Sequence, residues 1–149
     1  MSGTSGPGSS DTLRVLQGLA LKRGLTLGRM SEQERLVTLG FASLSIPAAE
    51  SLSEADVNRA LKAWLAADGQ MLRIDHVELR RTLIDMGLWQ RDGFGRAYGR
   101  ATLKVDHPAQ VHLTAMAVAD LRSLIADARA AREAQRQTRR AALQGEKPR

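Results

Sequence analysis

The feature that most constrains this chain is a change of period between Leu52 and Arg100. Ser53-Glu54-Ala55-Asp56 is a helix-start signal, and Val57, Leu61, Trp64 and Leu65 follow at three- and four-residue steps. That spacing puts them on one face of a helix, which Asp68-Gly69 ends. Asp75-His76-Val77-Glu78 is a second start; Leu79, Leu83 and Met86 share a face, and Gly87 stands where a left-handed C-cap is expected. After Gly87 the helical period stops. Leu88-Trp89-Gln90-Arg91 and Ala97-Tyr98-Gly99-Arg100-Ala101-Thr102 flank Asp92-Gly93-Phe94-Gly95, a Gly-rich turn between two strand-like runs.

Residues 1–10 are almost entirely Ser, Gly, Thr and Pro, which bury too little apolar surface to offset chain entropy, so a disordered N-terminal tail is expected there. Asp11 offers an N-cap to a short helix that carries Leu13, Leu16, Leu19 and Ala20, is weakened by Gly18 and ends near Gly24. Ser31-Glu32-Gln33-Glu34 fits a capping box, and Leu36, Val37, Leu39, Gly40 and Leu44 continue that helix until Pro47. Pro108 marks a boundary. From about Ala109 to Leu143 strong helix formers run without Gly or Pro, so one long helix is expected, with a seam at Leu113, Ala117, Leu121, Leu124, Ala128 and Ala131. The expected fold is mainly α with a small β-hairpin: a winged-helix-like core over 11–106, then a basic C-terminal helix and tail over 107–149.

Composition narrows the function classes by what is missing. The chain has no Cys, which excludes disulfides, thiolate zinc sites and cysteine nucleophiles. Met1 to Gly6 lacks the basic and apolar regions of a signal peptide, and no run approaches the roughly 18 apolar residues of a membrane span. A cytoplasmic protein without a membrane role is expected. The net charge of +6 is uneven: residues 1–50 and 51–107 each contribute +1, and residues 108–149 contribute +4.

Leu52-Ser53-Glu54-Ala55-Asp56-Val57-Asn58, the run from Asp75 to Leu88, and Arg91-Asp92-Gly93 to Tyr98 resemble the bacterial domain of unknown function 2087 family. That family's pattern is S/T-E-x-x-V-N, D-x-x-x-L-R-R-x-L, G-L, R-D-G and Y, in this order. Glu34-Arg35-Leu36-Val37 is similar to its preceding helix, and the resemblance covers about residues 31–100. It implies a winged-helix-like fold and, because such domains often stand beside transcription-regulator domains, a regulatory role; it implies no enzyme activity. His76 and Gly99 stand where the family commonly has aromatics, so the outer surface of the wing is expected to differ from that of relatives.

Three basic constellations are candidates for nucleic-acid contact. On the helix from Asp75 to Gly87, with Leu79 and Leu83 facing the core, Glu78, Arg81, Thr82 and Asp85 point outward, and the two carboxylates oppose phosphate approach. Arg81 is the contact candidate on that helix, whereas Arg80 reads as structural, its guanidinium pairing with Asp75 or Asp56. In the wing, Arg91, Arg96, Arg100 and Lys104 interleave with Trp89, Phe94 and Tyr98; Trp89 and Tyr98 are expected to pair across the strands and pack on the core, leaving Phe94 at the tip. On the C-terminal helix, Arg129, Arg132, Arg136 and Arg140 share one side with Arg139 nearby; the alternative there is a solvated extension, and the Ala-rich opposite side is too poor in apolar surface for a membrane helix. Asp106-His107 with His112 matches no usual zinc spacing, and no phosphate loop or nucleophile elbow is present, so no metal, no cofactor and no catalysis are expected. The expected partner is nucleic acid, DNA in particular, or an acidic protein, with a homodimer through the seam as a further option.

Overall fold

The computed structural model describes residues 7–94 and 96–145. The chain is mainly helical, with one two-stranded antiparallel hairpin and a long C-terminal helix, as expected. The elements in order are α1 (Pro7–Ala20), a 3₁₀ turn at Leu27–Arg29, α2 (Glu32–Ser43), α3 (Glu54–Ala66), α4 (His76–Asp85), β1 (Trp89–Arg91), β2 (Tyr98–Arg100), α5 (Gln110–Ala117) and α6 (Leu121–Gly145). No helix among the described residues is long and apolar enough to cross a membrane.

Helix starts follow local capping chemistry. Ser31 Oγ accepts from the Glu34 N–H at 3.1 Å while the Ser31 N–H donates to Glu34 Oε1 at 2.9 Å, completing the capping box. Ser53 caps α3 through the Asp56 N–H at 3.1 Å, and Asp75 caps α4 through the Glu78 N–H at 2.8 Å. At the other end of α4 Gly87 takes φ +76°, the left-handed conformation that any side chain there would oppose, and the Leu88 N–H turns back to the Leu83 carbonyl.

Two expectations change at the ends of the chain. The segment 1–10 lies outside the described residues for its first six positions, and α1 begins at Pro7, so Asp11 sits inside the helix and does not cap it. The single helix expected from Ala109 to Leu143 is two helices. Asp120 stands between them, and its carboxylate accepts from the Ser123 N–H at 3.1 Å, capping the first turn of the new helix. The seam shifts with the break. His112, Ala115, Met116 and Ile125 are buried, whereas Leu113, Leu121, Leu124 and Ala128 are partly buried and Ala117 and Ala131 are exposed.

The core is built from Leu16, Val37, Leu39, Leu61, Met71, Leu79, Leu83, Met116 and Ile125, each essentially excluded from water and each contributing about 1.5–3 kcal/mol by burial. Phe41 of α2 meets Trp64 of α3 edge to face, with ring centroids 5.3 Å apart. The helix α5 packs on α1 and α2, close enough that a Cβ on Gly40 would approach Met116 Cε to 3.0 Å, and α6 packs on α1. The C-terminal segment is thus part of the core through α5 and the first turns of α6. Buried Thr12 and His112 share a hydrogen bond of 2.7 Å between α1 and α5, and burial pushes the His112 imidazole below its ordinary pKa.

Candidate nucleic-acid interface

The hairpin is held from below by donors aimed at the end of α2. Trp89 pairs with Arg100 across the strands, Gln90 with Gly99 and Arg91 with Tyr98, so Trp89 and Tyr98 are diagonal neighbours and not the direct pair expected. Both are buried, as expected. Trp89 Nε1 donates to the Ser43 carbonyl at 3.0 Å, while Arg100 Nε donates to the Ile46 carbonyl at 2.8 Å and its Nη2 reaches the Leu44 carbonyl at 3.5 Å. One cross-strand pair therefore satisfies carbonyls that the last turn of α2 and the chain beyond it leave free. Burial lowers the Arg100 pKa. Arg100, expected as a nucleic-acid contact, is a strut.

The opposite side of the hairpin is clasped to α3 and α4. Leu52 exchanges two backbone hydrogen bonds of 2.8 Å with Tyr98, placing a one-residue bridge before α3 beside β2. The Tyr98 hydroxyl donates to Glu54 Oε1 at 3.1 Å. Arg80 donates to Asn58 Oδ1 and holds its guanidinium 5.5 Å from the centre of the Tyr98 ring. The Arg80 partners are an amide and a ring, not the expected carboxylates of Asp75 or Asp56, because α4 turns it toward α3 and β2. Gly99 meets Glu50: a Cβ there would lie 2.9 Å from the Glu50 carbonyl oxygen. That position is therefore filled by neighbouring backbone and offers no room for an aromatic.

The tip is shaped by Asp92, whose carboxylate accepts from the backbone N–H groups of Phe94 at 3.2 Å and Arg96 at 2.8 Å. It leaves Phe94 82% exposed, with the Arg96 guanidinium 5.7 Å from the ring centre. Arg91, Arg96 and Lys104 are exposed. On α4, Asp75 caps the helix, Leu79 and Leu83 are fully buried, and Arg81 stands exposed between Glu78 and Asp85. Most residues that carry the family pattern thus serve the clasp, the caps and the core, and the guanidinium groups of Arg81 and Arg91 have no hydrogen-bond or ion-pair partner among the described residues.

On α6 the expected basic face divides. Arg129 Nε donates to the carbonyl of Ala20, the last residue of α1, at 3.3 Å, so this arginine is partly buried and tied down. Arg132, Arg136, Arg139 and Arg140 are exposed. Arg129, Arg132 and Arg136 line a cleft of about 200 Å³ together with Lys22, Arg23 and Gln70, a convergence that sequence reasoning missed because Lys22 and Arg23 are remote in the chain. The wing meets the first residue of α3 through Tyr98, whereas Gln70 lies just past its last turn. The base of the wing and the cleft therefore lie toward opposite ends of that helix.

His107 and His112 are occupied structurally. The Ala109 N–H donates to His107 Nδ1 at 3.0 Å, which leaves the ring proton on Nε2, and Nε2 donates to the Met86 carbonyl at 2.8 Å, joining the end of α4 to the start of α5. An open groove of about 680 Å³ lies between α2, α3 and the start of α6, lined by Phe41, Leu44, Ala60, Ala63, Trp64 and Leu121 with Asp68, Asp120 and Arg122 at its polar edge.

Residues 27–100 match the family described as "Uncharacterized protein conserved in bacteria (DUF2087)". No curated protein and no solved structure matches the chain.

Proposed function

We propose, for a chain whose residues 27–100 belong to this bacterial family, a cytoplasmic winged-helix-like protein that binds DNA without catalysis, in a transcription-regulatory role. The order helix, one-residue bridge, helix, helix, strand, turn, strand, with β2 between Leu52 and β1, supports the winged-helix reading. Contact runs through the wing tip and the exposed arginines of α6. The outer face of α4 contributes little, because Glu78 and Asp85 flank Arg81 and repel phosphate.

The observation that carries this reading is Phe94. Leaving a phenylalanine 82% exposed forgoes about 1.5–3 kcal/mol of burial, and here the ring lies beside a guanidinium at the end of a stiffened turn. Aromatic and Arg together suit stacking on a base or sugar with phosphate contact alongside. Fluorescence anisotropy with a labelled mixed-sequence duplex at low salt tests it: binding that weakens in Phe94→Ala and Arg96→Gln is expected, and no detectable binding overturns the reading.

The groove between α2, α3 and α6 favours a second reading, a protein-interaction module, since its floor carries Phe41, Trp64 and Leu121. Capture of partners from a lysate with and without nuclease separates the two. Partners lost after nuclease support DNA binding, and partners retained support protein docking.

A further inference from the structure

We propose that the cleft between the end of α1 and the middle of α6 is a phosphate-group site, built by Lys22, Arg23, Gln70, Arg129, Arg132 and Arg136. It rests on the DNA reading only for the source of the phosphate. Arg129, Arg132 and Arg136 are three and four residues apart on α6 and so project from one side, while Lys22 and Arg23 follow directly on α1. Glu133 is the one acidic residue on the cleft wall, and no ion pair joins it to any of the five cations. Five positive charges against one, held around about 200 Å³, repel each other unless an anion enters.

The plainer explanation is that these cations neutralise the negative end of α1. Only Arg129 touches it, through Nε to the Ala20 carbonyl, and that contact leaves its Nη2 buried and without a hydrogen-bond partner. A buried guanidinium N–H left unsatisfied is costly. A phosphate in the cleft takes its hydrogen bonds from the exposed Arg132, Arg136 and the Gln70 amide, while the buried Arg129 guanidinium adds positive charge behind them. Arg129 holds that charge in a fixed place because its Nε is tied to the Ala20 carbonyl. Arg139 and Arg140 continue exposed along α6 beyond the cleft, which favours a phosphate that belongs to a polyanion.

The test is titration of the ¹⁵N-labelled full chain with inorganic phosphate at constant ionic strength, followed by NMR. Saturable shifts are expected at the Arg129 side-chain N–H, the Gln70 amide and the Lys22 and Arg23 backbone. The apparent dissociation constant should rise at least fivefold in Arg132→Gln and stay within twofold in Arg59→Gln, whose side chain pairs with Asp56 away from the cleft. Non-saturating shifts spread over all surface arginines, or equal affinity in Arg132→Gln, overturn the proposal. Competition then identifies the source. Displacement by a short duplex, the expected result, supports a backbone phosphate, and displacement by a nucleoside monophosphate alone supports the site while assigning it to a small ligand. Failure of the DNA reading appears separately, as absent duplex binding with phosphate saturation intact.

Discussion

Arg100→Met separates a strut from a contact. The substitution keeps most of the aliphatic stem but removes the donors to the Ile46 carbonyl at 2.8 Å and the Leu44 carbonyl at 3.5 Å. A hydrogen bond from a charged group contributes about 1.5–3 kcal/mol, and the longer bond is at the limit of geometry, so the net loss is about 2 kcal/mol. For a chain of this size that lowers the melting temperature by about 6 °C. Arg96→Gln, at an exposed position beyond the strands, should change stability by less than about 0.5 kcal/mol. Thermal unfolding by circular dichroism, paired with duplex anisotropy at a temperature where both variants are folded, should give opposite patterns. Arg100→Met melts early and binds within twofold of the parent, whereas Arg96→Gln melts normally and binds more weakly. If Arg100→Met melts with the parent and loses binding, the strut assignment is wrong.

Three further outcomes follow from the same contacts. Because burial lowers the His112 pKa, the unfolded chain takes up a proton that the folded chain resists. Stability is therefore full above the ordinary histidine value of about 6.5 and declines by up to about 1.4 kcal/mol per pH unit as pH falls toward the folded-state pKa. Urea midpoints from pH 7 to 5 should show this slope reduced in His112→Gln, and equal slopes in both proteins would contradict it. Gly69→Ala places a methyl group against the Trp64 ring and should cost about 1–3 kcal/mol by urea denaturation, an unchanged midpoint arguing against that packing. Asp120→Ala removes the cap of α6 and should cost about 1 kcal/mol, with faster amide exchange at Arg122 and Ser123 as its local signature.

What was legible in the sequence was local. Ser31 with Glu34, Asp75 with Glu78 and Gly87 act within a few residues, so their spacing alone encodes the contact, and the hairpin is marked by the change from helical to alternating period. Asp120 belongs to the same class and was hidden only because the Ala-rich run around it has high helix propensity on both sides. The roles of Arg100 and Arg129 were not legible, since their acceptors are backbone carbonyls 54 and 109 residues away and any residue type supplies such an acceptor. Charge counting therefore read both only as outward contacts and missed the backbone carbonyls that hold them. The same distance in sequence concealed the cleft, whose Lys22 and Arg23 join the α6 arginines only after α6 packs on α1. Phe94 was singled out correctly as the aromatic left at the tip, because a turn between two short strands has nothing beneath it to bury a ring.

The salt dependence of duplex binding tests the central claim most directly. With Arg91, Arg96, Arg132, Arg136 and Arg140 on phosphates, the slope of log K against log salt should be about −4 to −5, so affinity falls roughly 300- to 1,000-fold between 50 and 200 mM salt. Arg91→Gln with Arg96→Gln should reduce that slope by about two, and Arg81→Gln should leave it unchanged within about 0.5. A slope near zero, or one that Arg81→Gln reduces while the wing pair does not, would contradict binding through the wing and α6.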